Sequence, residues 1–291
     1  MTLQQLEYIV AIDTHRHFGK AAEACFVTQP TLSGMVKKLE EELEARSVLK
    51  ESSLFLRLAR DQRAEDGGEL RIGVIPTLAP YLLPLFLGRF VQDHPTMRLL
   101  VEELTTATII DRLGKETLDV GLMATPLHVP GLQERPLFKE RFHVFAAPGE
   151  RVSRKRYVLP ADIDPDRLWL LEEGHCMRSQ VMNLCALRKA GAHGNLSYLS
   201  GSIASLMRMV ETQGGVTIIP ELATLDLDER ARTWLHPFKD PAPAREISAV
   251  TYRHSLKGRL LELLHTAIEE SVKPHVGRAA VQVVELEGGG A

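Results

Sequence analysis

The sequence predicts a small all-α N-terminal domain followed by a larger α/β domain built of two Rossmann-like halves. Three observations predict it. The first 44 residues place apolar side chains at helical spacing only, short apolar runs alternate with helical segments from Leu70 onward, and the polar stretch "DQRAEDGGE" separates the two patterns. A chain of 291 residues can enclose two hydrophobic cores, and 44% apolar with 25% charged residues is ordinary globular composition. The domains are read as residues 1–44, a linker helix at 45–66, the α/β domain at 67–275 and a tail at 276–291.

In the first domain, "LQQLEYIVAIDTHRHF" spaces Leu3, Leu6, Ile9, Val10 and Ile12 as one helix, and "GKAAEACFV" reads as a short Ala-rich helix. In "TQPTLSGMVKKLEEELE", Thr28 is the expected N-cap, Pro30 suits a first turn, and Leu32, Met35, Val36, Leu39 and Leu43 form one apolar stripe. Helix, short helix, tight turn and helix make a helix-turn-helix, whose second helix lies in the major groove of DNA. Gln29, Thr31 and Ser33 are its expected base-facing groups, and Arg16, Lys20, Lys37 and Lys38 its expected phosphate contacts. The competing reading is a plain three-helix subdomain with a solvated face. Cys25 is expected to be a small core residue.

From Leu70, "LRIGVIPT", "RLLVEEL" and "DVGLMA" read as buried parallel strands, with "APYLLPLFLGRFVQDHP" and "TATIIDRLGKETL" as the intervening helices. "RFHVFAAP", "LWLLEEG", "LSYLSG", "VTIIP" and "EISAVTYR" continue as strands, and "SIASLMRMVETQGG" as a helix. No Gly-x-Gly-x-x-Gly or Walker-type loop follows any strand, so nucleotide binding has no support. Two halves crossed near Phe142 and again near Glu246 would form a cleft, as in periplasmic-binding-protein folds. Thr77, Thr106 and Arg253 fall at strand ends facing such a cleft. For each threonine the competing role is a helix cap.

The start "MTLQQLEYIV" has no basic leader and the richest apolar run holds two prolines, so a cytoplasmic protein without membrane contact is expected. A net charge of −3 excludes a chain that coats nucleic acid all over, but not a local basic patch. There are three cysteines, two of them in "GHCMRSQVMNLC". In a reducing compartment a close pair is more often catalytic, redox-sensing or metal-binding than a structural disulfide, and the competing reading is two buried structural thiols in one amphipathic helix. A helix is expected from Gly174 to Gly191. Nine residues of helix amount to about 13.5 Å of rise, whereas a disulfide needs Cα atoms about 5.5 Å apart. Joining Cys176 to Cys185 therefore requires the helix to unwind. Cys176, near the helix start with His175 and Arg178 close by, has the setting of a reactive thiol, and Glu172 and Glu173 oppose it. A thiolate oxidised by a peroxide becomes a sulfenic acid, which a second thiol such as Cys185 can resolve.

"FGKAAEACFV" with "TQPTLSGMVKKLEEEL" closely resembles the DNA-binding segment of the LysR-type transcriptional regulators, and "LEEGHCMRSQVMNLC" resembles the redox segment of their peroxide-sensing branch. The likeness runs from Leu3 to about Ser271. It implies a winged-helix-type DNA-binding domain with Thr28, Gln29, Pro30, Thr31, Ser33, Lys37 and Lys38 at the DNA, and a periplasmic-binding-protein-like regulatory domain. It further implies Cys176 as peroxidatic and Cys185 as resolving cysteine, with Thr77, Thr106, His175 and Arg253 lining a peroxide pocket. The implied partners are double-stranded promoter DNA, hydrogen peroxide, a homodimer or homotetramer, and RNA polymerase, with no cofactor, no metal and no enzymatic turnover.

Two positions depart from the family. "KKLEEELE" runs straight into "ARSVLKESSLFLRLARDQ", which resembles the later part of the linker helix, so the two-stranded wing is missing. Either residues are absent between Glu44 and Ala45 or the chain is wingless; the lack of any turn residue there favours the first. Ser179 stands where relatives carry an acid. Three other readings compete: a LysR-type regulator answering to a small organic metabolite held by Thr77, Thr106 and Arg253; a zinc site of His175, Cys176, Cys185 and His193, whose spacing matches no common motif; and a peroxidase-like enzyme.

Overall fold

The computed structural model describes residues 3–39, 68–187, 192–193, 196–198, 200–252, 257–277, 280–284 and 286. The Glu44–Ala45 join, the linker helix, Arg253 and Leu43 lie outside the described residues. The chain divides into two compact units, Met1–Glu65 and Asp66–Ala291.

In the first unit α1 (Leu3–His15) and α2 (Phe18–Ala24) precede α3 (residues 29–39). Tyr8, Ala21, Ala22 and Leu32 are buried together, with Ile12, Cys25, Val27, Met35 and Val36 packed around them. Small side chains at 21 and 22 let the helices approach closely. His17 caps α2, its Nδ1 accepting from the amides of Gly19 (3.1 Å) and Lys20 (3.3 Å). Thr28 caps α3, its Oγ1 accepting from the Thr31 amide at 3.3 Å. Of the apolar residues at helical spacing in α1, Ile9 and Val10 are 40% and 63% exposed, because its buried face runs through Gln5, Tyr8 and Ile12, on another side of the helix.

The second unit begins with β1 (Gly68–Val74), α4 (Ala79–Asp93), β2 (Met97–Glu103), α5 (Thr106–Gly114) and β3 (Val120–Thr125). The three strands are parallel, in the order β2-β1-β3. Then follow β4 (Leu132–Ala146), α6 (Cys176–Leu184), β5 (Ala192–His193), β6 (Leu196–Ser197), α7 (Ile203–Gln213), β7 (Val216–Pro220), α8 (Glu229–Arg232) and β8 (Leu235–Pro237). Last come β9 (Ala242–Tyr252), α9 (Gly258–Val272) and β10 (Val281–Val283).

β4 and β9 are the crossing strands. From Leu132 to Arg141, β4 pairs with β9; from Phe142 it pairs with β7 and β8. The first core holds Leu70, Ile72, Phe86, Ile109, Leu122, Leu137 and Ile247, whereas the second holds Phe142, Phe145, Trp169, Val181, Leu206, Ile218 and Ala242. The chain thus passes between cores within β4, and again between Ala242 and Ile247. The two-half architecture is that expected, with two local differences. "LWLLEEG" forms only the isolated parallel bridges Leu168–Val216 and Leu171–Ser200, and β7 and β8 run antiparallel to β4. The second half therefore mixes directions where the alternation suggested a parallel sheet.

Gly121 brings α5 onto β3. A Cβ there would lie 2.4 Å from Cγ2 of Ile109, which is fully buried. Gly121→Ala is expected to destabilise the second unit by about 1–3 kcal/mol through overpacking, read as a lower midpoint in urea; an unchanged midpoint would show that α5 shifts freely.

Candidate functional site

The site is built where α5 of the first half meets α6 of the second. Thr105, in extended conformation, caps α5, its Oγ1 accepting from the Thr108 amide at 3.4 Å. Thr106 is therefore the first helical residue, with its hydroxyl free of capping duty. That hydroxyl lies 3.0 Å from Sγ of Cys176. Cys176 is the first residue of α6, with His175 as N-cap. It packs on the first core, whereas Met177 and Val181 of the same helix belong to the second.

The imidazole of His175 is buried, with Nε2 3.7 Å from Oε1 of Glu172. It lies against Gly201, where a Cβ would come within 3.4 Å of the ring. Arg178 donates from Nη1 to the Leu171 carbonyl at 2.6 Å. Two residues on from Cys176, it faces another side of the helix, so it ties α6 to the Leu168–Leu171 segment and is not the cationic neighbour expected. Ser179 is half-buried.

Thr77 caps no helix either. Leu78 is the N-cap of α4, and buried Thr77 accepts two hydrogen bonds from Arg245: Nη1 to its hydroxyl at 2.9 Å and Nη2 to its carbonyl at 3.1 Å. Arg245 is ion-paired with Glu140 at 2.7 Å, and both side chains are completely buried. The second Glu140 oxygen accepts from the Leu222 amide at 3.1 Å. Sequence reading missed this pair. Its signal was there: an acid in "FKERFHVF" and a base in "APAREISAV" interrupt two apolar strand patterns, and a buried charge calls for an opposite partner.

Helix α6 ends earlier than expected. Cys185 is its C-cap, and Ala186 adopts φ +50°. The amides of Ala186 and Leu187 donate back to the carbonyls of Asn183 (3.1 Å) and Met182 (2.9 Å), a Schellman closure with alanine where glycine is favoured. The two thiols, both free, thus stand at opposite ends of one nine-residue helix. Burial among second-core residues pushes the Cys185 thiol up to about 12. Gln180, fully buried midway between them, donates from Nε2 to the carbonyl of Val284 at 3.0 Å. Val284 follows β10, which pairs with β9 beside Arg245, so the C-terminal tail, for which the sequence alone offers no reading, is strapped to this helix.

In the first unit, Gln29, Pro30, Thr31, Ser33, Lys37 and Lys38 are all exposed, as are Arg16 and Lys20, while Leu32 and Leu39 are buried. The side chains expected at DNA are thus all open to solvent. Cys25 is half-buried against the core.

The bacterial regulatory helix-turn-helix protein, lysR family, matches residues 3–61, and the LysR substrate binding domain matches residues 63–273. The chain belongs to the LysR family. It is similar to the hydrogen peroxide-inducible genes activator of Dickeya chrysanthemi, 32% identical over 97% of this chain and 99% of that one. It is equally similar to the DNA-binding transcriptional dual regulator OxyR of Escherichia coli K12, 32% identical over 98% of this chain and 100% of the relative. Among solved structures, full-length OxyR from Pseudomonas aeruginosa, in a variant form, aligns with a TM-score of 0.65 at 30% identity, covering 92% of this chain and 98% of the other. An H2O2-bound OxyR mutant from Corynebacterium glutamicum aligns at 0.65 and 27%, covering 94% of each. The alignment with the Dickeya protein runs over 307 positions against 291 residues here, so that relative carries residues this chain lacks. Among the described residues no helix is long and apolar enough to cross a membrane.

The perturbed thiol gives a pH signature. An unfolded cysteine ionises near about pH 8.5, the folded Cys185 near about 12. Above the unfolded value the unfolded chain sheds a proton that the native chain retains, so stability falls progressively as pH rises toward 12. Urea unfolding of the reduced chain is expected to show this alkaline loss, and Cys185→Ser to lessen it below about pH 10, above which Tyr81, also held up to about 12 by burial, adds a loss of its own. Iodoacetamide at pH 8 should label native Cys185 far more slowly than Cys176; equal rates would contradict the burial.

Proposed function

We propose that the chain is a peroxide-responsive transcriptional regulator that binds promoter DNA through α3 and senses hydrogen peroxide at Cys176. The observation that carries this is the Cys176–Thr106 contact at the start of a helix whose far end holds the second thiol. The similar proteins named for hydrogen peroxide support it, as does the H2O2-bound structure among those that align.

The chemistry follows from the two environments. Cys176 reaches the boundary between the halves. Cys185 is half-buried against the second core, where desolvation favours its neutral thiol and makes it the poorer first nucleophile. The Cys176 thiolate attacks one peroxide oxygen; an S–O bond forms, the O–O bond breaks, and the departing hydroxide takes up a proton to leave as water. The Thr106 hydroxyl is placed to hold the peroxide or donate to the leaving oxygen. The Cys185 sulfur then attacks the sulfenic sulfur, an S–S bond forms, the S–O bond breaks, and a second water leaves. Two thiols are oxidised and one peroxide is reduced. His175 packs beside the attacking residue, while Thr77, held by Arg245, forms part of the wall between the halves.

The second step needs α6 to open. Its length is below the roughly 12–15 residues at which isolated helices become stable, and its closing alanine is strained, so what holds it is packing and the Arg178 and Gln180 ties. Oxidation therefore converts a bond at sulfur into a change of backbone around residues 177–187, which reaches β10 through Val284 and alters how a homodimer or homotetramer presents its DNA-binding units. Such a regulator works in the cytoplasm, with RNA polymerase as the partner that reads the change. Residues missing between Glu44 and Ala45 would account for the longer relatives.

Cys176→Ser is expected to abolish peroxide-induced changes in DNA footprint, whereas Cys185→Ser should still react but stop at sulfenic acid or a mixed disulfide. Oxidation of the wild-type chain should raise deuterium uptake at residues 177–187 and 281–284. A footprint response to peroxide that survives in Cys176→Ser would sink the proposal and promote a metabolite-responsive regulator.

A further inference from the structure

Phe26, in the turn between α2 and α3, is 96% exposed and adopts φ +55°. Among the described residues it is the most exposed of the large hydrophobic side chains. Its backbone is held there by the Schellman closure of α2: the Phe26 amide donates to the Glu23 carbonyl at 3.1 Å and the Val27 amide to the Ala22 carbonyl at 3.0 Å. Cys25 and Val27 on either side pack into the core, so the ring cannot turn inward without dismantling the turn. A left-handed position strains any residue with a Cβ, and glycine would relieve it. A phenyl ring in water contributes nothing to the fold in return. Backbone strain under an unburied aromatic points to a surface that covers the ring when the protein works.

The neighbours indicate which surface. Thr28, two residues on, caps α3, and Gln29, Thr31 and Ser33 follow as exposed polar groups, with Lys20, Lys37 and Lys38 exposed on the same unit. A helix-turn-helix brings the start of its second helix to the base edges, which places the preceding turn at the rim of the major groove. Phosphates there call for cations, but thymine methyls and deoxyribose carbons offer an apolar surface. We propose that Phe26 packs against thymine methyl and deoxyribose carbons at the edge of the groove that α3 enters. The inference rests on the reading of α3 as the recognition helix.

The contact is apolar, so its loss releases no counterions. That separates it from a phosphate contact, whose loss flattens the dependence of affinity on salt. The test uses the full chain and a fluorescent duplex selected from a random-sequence library by the wild-type protein, titrated over a salt series. Phe26→Gly is expected to bind roughly tenfold more weakly, equivalent to about 1.4 kcal/mol, with an unchanged salt slope, while amide protection in residues 3–39 is retained or increased. Phe26→Tyr should bind within about threefold of wild type, since the ring remains. Gln29→Ala is the control for α3 and should narrow the preference for the selected over a random duplex. Wild-type affinity in Phe26→Gly together with a changed preference in Gln29→Ala would overturn the role of Phe26 alone. An unaltered preference in Gln29→Ala would overturn the reading of α3, and this proposal with it. Reduced amide protection in Phe26→Gly, or a changed mass by sedimentation, would assign the ring to folding or self-association and overturn the proposal.

Discussion

The second unit depends on one buried ion pair. Glu140 and Arg245 face each other in register across β4 and β9, where both strands pass from one hydrophobic core to the other. Slipping β9 by one residue would turn Arg245 to the opposite face and leave Glu140 unpaired among apolar side chains, so the pair sets the register of the crossing strands. Its remaining hydrogen-bonding capacity reaches outward from the seam: Arg245 holds Thr77 at the end of β1, and Glu140 holds the amide of Leu222 after β7. Each half is thereby fastened to the same two side chains. A pair of apolar residues could equal its stability, but would not specify which groups meet.

With the halves fastened at the seam, the meeting of α5 and α6 is determined. Thr105 takes the cap and Thr106 faces Cys176, while Gly121 lets α5 lie close on β3. The two thiols then differ by environment and not by chemistry. Cys176 touches the first core and the boundary between halves, and half-buried Cys185 packs against the second core, where desolvation favours its neutral thiol. A nine-residue helix separates them, and it is closed by a strained alanine and tied by Gln180 to the C-terminal strand. In the proposed switch this short helix is the element that changes state while the ion pair keeps the scaffold intact.

Much of this was legible in the sequence because it is local. Helical spacing with Thr28 as a cap marked three helices, which the resemblance of "TQPTLSGMVKKLEEEL" turned into a helix-turn-helix, and the switch from helical runs to alternating strands and helices marked the second unit. The two cysteines could be placed on one helix by spacing alone. What escaped depends on distant partners. Arg245 and Glu140 are 105 residues apart and acquire meaning only when β4 and β9 pair. Arg178 looked like a neighbour of Cys176 by sequence, but the angular step of a helix turns it to Leu171. The end of α6 was misjudged because alanine, unlike glycine, carries no signal for a left-handed cap.

The central claim is that Cys176 and Cys185 become bonded when peroxide reacts, although the reduced fold keeps them at opposite ends of a helix. Peptide mapping by mass spectrometry after one equivalent of hydrogen peroxide tests it most directly. The account predicts a peptide pair joined through Cys176 and Cys185, two hydrogens lighter than the reduced pair and restored by dithiothreitol. Recovery of both cysteines unlinked, from protein whose DNA footprint has nevertheless changed with peroxide, would contradict it.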